Sequence, residues 1–178
     1  LTGMFKLSAT KNHNLQLHLG GSIPTGTTTE RDRVLTPFGT TPEVRLPYAM
    51  QIGSGTFDIL TGLTYRGHYG NAGWGAQYAA IVRTGDNDGY TWGDRHDITG
   101  WLSYQPVSAI SASVRMQYRT MGRIAGIDNA IVAPVQTADP DNYGGDRVNV
   151  LLGLNIAGQR DWMQRKRIAL EVGIPIMQ

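Results

Sequence analysis

A chain of 178 residues suffices for one domain with its own interior, and its 40% hydrophobic residues and mean hydropathy of -0.26 hide no run of roughly 18 apolar residues, which excludes a membrane-spanning helix. The absence of cysteine removes disulfide frameworks, thiolate metal sites and a cysteine nucleophile together. A net charge of +2, with no Lys/Arg cluster longer than "QRKR" at 164–167, gives no argument for nucleic acid as a partner.

Alternation with a period of two, the mark of an extended strand with two unlike faces, runs from one end to the other. In "GMFKLSA", Phe5, Leu7 and Ala9 oppose Met4, Lys6 and Ser8. In "LQLHLGGSI", Leu15, Leu17, Leu19, Gly21 and Ile23 oppose Gln16, His18 and Gly20. "TFDILTGLTYRGHYG" sets Phe57, Ile59, Thr61, Leu63, Tyr65 and Tyr69 against Asp58, Thr64, Arg66 and His68. "WGAQYAAIVRTG" sets Trp74, Ala76, Tyr78, Ala80 and Val82 against Gln77 and Arg83. "RHDITGWLSYQ" sets Ile98, Gly100, Leu102 and Tyr104 against Arg95, Asp97, Thr99, Ser103 and Gln105. "AISASVRMQYRT" sets Ile110, Ala112, Val114, Met116 and Tyr118 against Ser111, Ser113, Arg115, Gln117 and Arg119. "RVNVLLGLNIAG" sets Val148, Val150, Leu152, Leu154 and Ile156 against Arg147, Asn149, Gly153 and Asn155. "KRIALEVGIPIMQ" closes with Ile168, Leu170, Val172, Ile174 and Ile176 opposite Arg167, Ala169, Glu171, Gly173 and Pro175. These are about eight segments, each near the 9–11 residues with which a tilted strand crosses a bilayer.

The connections alternate in length. "KNHN" (11–14), "GNAG" (70–73), "QPVS" (105–108) and "QRDWMQR" (159–165) are short, whereas 24–54, 85–92 and 122–146 are long. An up-and-down meander with tight turns at one end and large loops at the other follows, as in outer-membrane barrels. The stretch 24–54, rich in Thr, Pro and Gly, is a loop long enough to contact a partner. "DNDG" (86–89) and "ADPDNYGGD" (138–146) carry carboxylates on flexible turns but lack the spacing of a calcium loop, so turn formation accounts for them.

Period two does not say which face meets water. The apolar face carries almost no charge, and the other carries Arg, Asp, Gln and Asn, as a wet lumen would. Aromatic residues gather at strand ends: Tyr69, Trp74, Tyr104 and Trp162 at the short-turn end, Phe57, Tyr90, Trp92 and Tyr118 at the other. The expectation is therefore an all-β, antiparallel up-and-down transmembrane barrel with its greasy face in lipid. Its lumen is lined by Lys6, Asp58, Arg66, His68, Arg83, Arg95, Asp97, Arg115, Arg119, Arg147, Arg167 and Glu171. The excess of cations favours anionic solutes. Many of these charges should pair across strands: Glu171 with Arg167, and Asp97 with Arg95 or Arg115. An arginine left without a carboxylate is the better candidate for solute contact.

No catalytic constellation, metal site or cofactor motif stands out. The four histidines (His13, His18, His68 and His96) lack H-x-x-x-H spacing, "GSG" at 53–55 is not a nucleophile elbow, and no phosphate-cradling loop is present. The apolar face is read as free of histidine, which argues against a lipid-face hydrolase.

The order and spacing of "VRLPYAMQIGSGTFDILTGLTY" (44–65), "WGAQ" (74–77), "GDR" (93–95), "ITGWLSY" (98–104), "TADPD" (137–141), "LLGLN" (151–155) and "RIALEVGIPIMQ" (167–178) resemble a bacterial outer-membrane family. Its members are labelled transporters or meta-pathway phenol-degradation proteins. The resemblance covers residues 1–178 and implies a β-barrel of the outer membrane and, more weakly, transport. Family members continue past "GIPIMQ", and "LTGMFKLSAT" reads as a strand and not as a signal peptide. Residues 1–178 are thus expected to be one barrel domain belonging to a longer chain and a larger barrel, with lipid, small solutes and a second chain or further copies as partners. Two other readings are a scaffolding barrel that docks a partner through its long loops, and a soluble ligand-binding barrel with the greasy face inward.

Overall fold

The computed structural model describes residues 1–36, 38–132, 135–159 and 166–177. Its strands, in chain order, are β1 (Thr2–Ala9), β2 (His13–Ser22), β3 (Arg31–Arg33), β4 (Glu43–Arg45), β5 (Phe57–Tyr69) and β6 (Ala72–Thr84). They continue with β7 (Tyr90–Thr91), β8 (Arg95–Val107), β9 (Ile110–Met121), β10 (Ala125–Gly126), β11 (Gly145–Ala157) and β12 (Arg167–Met177). Eight of them form one antiparallel sheet in the order β1-β2-β5-β6-β8-β9-β11-β12, so every strand pairs with its neighbours in sequence. Each of the eight expected segments is a strand of this sheet. The strands of 13 residues (β5, β6, β8 and β11) outrun the expected 9–11.

The turns at one end are tight. Tyr69 and Ala72 pair across Gly70 and Asn71, where Gly70 has φ +53°, a backbone setting that glycine adopts without penalty. Of the expected short connection at 159–165, residues 160–165, with Trp162, lie outside the described residues.

The sheet is open. β1 and β12 are its edges and do not pair with each other, so the barrel expected of this chain is not closed by these eight strands. The polar face of this open sheet carries seven arginines and Trp101.

The apolar face is uncovered. Ile168, Leu170 and Val172 are 50%, 62% and 65% exposed, and Phe57, Leu63, Ile98, Leu102, Met116 and Leu152 on inner strands are exposed as well. On the opposite face Asp58 and Thr64 are buried. One detail of the pattern shifts: a bulge in β1 between Lys6 and Ser8 sets Ser8 opposite Leu15 and Ala9 opposite Asn14. The bulge therefore turns Ser8 to the apolar side and Ala9 to the polar side, reversing the simple alternation there.

The hydrophobic core lies in the loops. Tyr48, Tyr90, Ile124 and Ile131 are buried together, with Trp92, Ala138 and Tyr143 packed against them. They come from all three long connections. β3 pairs with β4 inside the first, and β7 pairs with β10 between the second and third. Tyr90 and Trp92 thus belong to this cap and not to an aromatic belt on the sheet. The reason is that the cap, unlike the sheet, can enclose rings on all sides: Tyr48 meets Tyr90 edge-on at 4.7 Å, and Trp92 meets Tyr143 at 5.3 Å.

Candidate functional site

Directly paired residues of neighbouring strands share a face, so register alone locates the candidate lining. Lys6 pairs with Gln16, Arg66 with Asn14 and Gly75, His68 with Gly73, and Asp58 with Arg83. Asp97 pairs with Arg119, and Arg119 with Arg147. Arg115 pairs with Trp101 and Leu151, Glu171 with Gly153, and Arg167 with Ala157. Arg95, two residues before Asp97 on β8, completes the set. All twelve residues selected from the sequence lie on the polar face.

Rows across the sheet give that face its chemistry. A neutral row runs Gln16–Thr64–Gln77–Thr99–Gln117–Asn149. Within it the Gln77 amide donates to Thr64 Oγ1 at 3.0 Å, and His18 Nε2 lies 3.1 Å from the same oxygen. The next row towards the long loops is Gly62–Ala79–Asp97–Arg119–Arg147. Small side chains on β5 and β6 face charged ones on β8, β9 and β11, which hollows the face. A groove of 610 Å³ results, lined by Gln77, Arg95, Asp97, Arg119, Arg147 and Asn149 among others.

The ion pairs differ from those expected. Glu171 meets Arg115 at 3.5 Å, whereas Arg167 donates to Asn155 Oδ1 from Nε at 3.0 Å. Residues 167 and 171 are four apart on one strand, roughly 13 Å at about 3.3 Å per residue, too far to touch. Gly153, lacking a side chain, stands opposite Glu171 and leaves the way across β11 open to Arg115. Asp97 takes Arg95 Nε at 2.7 Å on Oδ2 and Arg119 Nε at 2.5 Å on Oδ1; Arg115 is not its partner. Asp58, buried, is held by Arg83, by Thr56 Oγ1 at 2.7 Å and by Ser54 Oγ at 3.2 Å. Among the described residues, Lys6, Arg66, Arg147 and Arg167 meet no carboxylate.

Two histidines occupy the apolar face, correcting the expectation of none. His13 pairs in register with Gly67, and His96 with Ala80. Each stacks on a tyrosine and hydrogen-bonds its hydroxyl: His13 Nδ1 to Tyr65 and His96 Nδ1 to Tyr78, both at 2.8 Å. Strand β2 begins two residues before the alternation is visible in sequence, which is how His13 joins the face. Neither ring is bonded to a serine among the described residues.

A second constellation, in the cap, left no sequence signal. Arg45 on β4 reaches Asp88 at 2.6 Å, Asp128 at 2.8 Å and the Thr28 carbonyl at 2.9 Å, joining the three long loops. Thr28 Oγ1 donates to Asp88 Oδ2 at 2.9 Å and accepts from the Asn87 amide at 2.6 Å. The Thr28 hydroxyl first, then the hydrogen bond and charge of Arg45, hold the Asp88 carboxyl below the usual carboxylate range against a partial desolvation. The Asp88 carboxylate of "DNDG" is thereby committed to loop assembly. In "ADPDNYGGD", Asp139 accepts from the Asp141 amide and caps a turn.

No family model matches this chain, and no curated protein matches it.

Proposed function

We propose that this chain is part of an outer-membrane β-barrel through which small anionic solutes pass passively, without chemistry. Strands from outside these 178 residues complete the ring. One observation carries the reading: the branched apolar side chains stand exposed on the outside of the sheet while the charges line a groove on the other face. A strand edge with unpaired N–H and C=O groups cannot persist in hydrocarbon, so β1 and β12 must find partners. The remainder of a longer polypeptide or a second copy would supply them. The resemblance to outer-membrane transporters and the cationic surplus of the groove support the same conclusion. The exposed greasy face counts against a soluble carrier built around it.

The test is reconstitution of the purified protein into planar bilayers. Discrete conductance steps are expected, with reversal potentials in a salt gradient showing anion preference that Arg147→Ala reduces. Cation preference untouched by that change, or no steps at all, overturns the reading. A scaffold that docks a partner through its loops is the second reading, favoured by the tip between β3 and β4, where Phe38 is 92% exposed beside exposed Leu35.

A further inference from the structure

We infer that Arg95, Arg119 and Arg147 form a binding site for a doubly charged oxyanion of the phosphate class. The inference rests on the lumen reading, because it names what that face recognises. Arg119 and Arg147 are directly paired across β9 and β11, and like charges directly opposite destabilise a sheet. An opposite charge beside such a pair offsets the repulsion. Here a single carboxylate, Asp97, stands among three guanidinium groups, and both its oxygens are taken by Arg95 and Arg119. Arg147 has no carboxylate among the described residues.

The surplus is two positive charges, which a phosphate near neutrality matches. The surroundings suit an oxyanion rather than another carboxylate side chain. The groove is open to solvent solutes, and neutral amide donors of Gln117 and Asn149 lie one row below the arginines. On the loop side, Gly144, Gly145 and Asp146 line the approach to the same three arginines; the register puts Asp146 on the other face, opposite Thr120, where its Oδ1 accepts the Tyr118 hydroxyl at 3.0 Å. Guanidinium groups bind phosphate through paired N–H bonds, so the fork of Arg147 supplies the donors that Asp97 cannot claim.

The experiment is calorimetric titration of inorganic phosphate into the protein in detergent micelles at low salt, with chloride at matched ionic strength as the control. Saturable phosphate binding is expected, weakened at least about tenfold in Arg147→Gln, as loss of charge-assisted hydrogen bonds requires. Arg31→Gln, which removes the same charge from the distant β3, should leave it unchanged. Strand circular dichroism shows that each variant is folded, and Arg147→Lys, which keeps the charge but loses the fork, should bind with intermediate affinity. No saturable phosphate binding by the folded parent protein overturns the inference. So does equal weakening by Arg31→Gln, which would reduce the effect to net charge. Phosphate binding without conductance would reject passage and retain the site. Conductance without phosphate binding would reject the site and retain passage.

Discussion

Tyr48 and Tyr90 lie edge-to-face in the cap and are fully buried, yet their hydroxyl groups have opposite circumstances. The Tyr48 hydroxyl accepts the Asp128 backbone N–H at 3.0 Å. The Tyr90 hydroxyl meets no protein partner among the described residues, and burial above all raises the pKa of this phenol. A buried polar group without a partner costs free energy, and removing one half of a made bond strands the other half. Tyr90→Phe should therefore be neutral or slightly stabilising, whereas Tyr48→Phe should cost about 1–3 kcal/mol by leaving a buried N–H unpaired. Thermal unfolding followed by near-ultraviolet circular dichroism of the cap tyrosines checks the order; equal effects would contradict it.

Among the elements, the three long loops behave as one body because Arg45 bridges them. Its partners Asp88 and Asp128 stand 43 and 83 residues further along the chain. Side-chain exposures of 9% for Arg45 and 5% for Asp128 make this an interior pair that tolerates loss of neither partner. The depressed pKa of Asp88 sets a pH dependence. At acidities near the usual carboxylate value the unfolded loop binds the proton and the assembled cap does not. The contribution is complete above the unfolded value, about pH 4, and fades as the pH falls through the lower value of the assembled cap. Amide protection in 24–54, 85–92 and 122–146, measured against the intrinsic exchange rate at each pH, should fall below about pH 4 while that of the strands holds; uniform behaviour would contradict this. None of the cap was legible in the sequence. Loops have no periodicity to read, and "DNDG" signals a turn without disclosing the arginine that its carboxylate meets. Tyr90 and Trp92, read as interface aromatics from their place near a strand end, are drawn into the cap by Tyr48 and Tyr143.

At the scale of the whole molecule, two residues side by side on β11 test which face meets lipid. Leu152 pairs with Val114 and Val172 on the apolar face, and Leu151 pairs with Arg115 and Gly173 on the polar face. Leu152→Arg should cost about 2–4 kcal/mol in a bilayer-embedded barrel. Leu151→Arg should cost no more than about 1 kcal/mol, the penalty of a like charge opposite Arg115. Denaturant titration from lipid vesicles measures both. Equal costs would remove lipid contact from the account.

The amino-acid sequence by itself determined the eight strands, their meander order and, apart from Ser8 and Ala9 beyond the β1 bulge, which of the alternating residues share a face, because a period of two is local. It also selected every charged residue that the register later placed on the polar face. Tertiary structure alone decided that the sheet stays open, that Glu171 takes Arg115 and leaves Arg167 to Asn155, that His13 joins the apolar face, and that Arg45 ties three loops together; the place of His96 there follows from its parity with Ile98. Those outcomes depend on distances between residues far apart in the chain. Neighbouring strands bring such residues to within about 5 Å, while residues four apart on one strand remain about 13 Å apart. Alternation states what a strand's faces are, and only pairing states whom each residue meets.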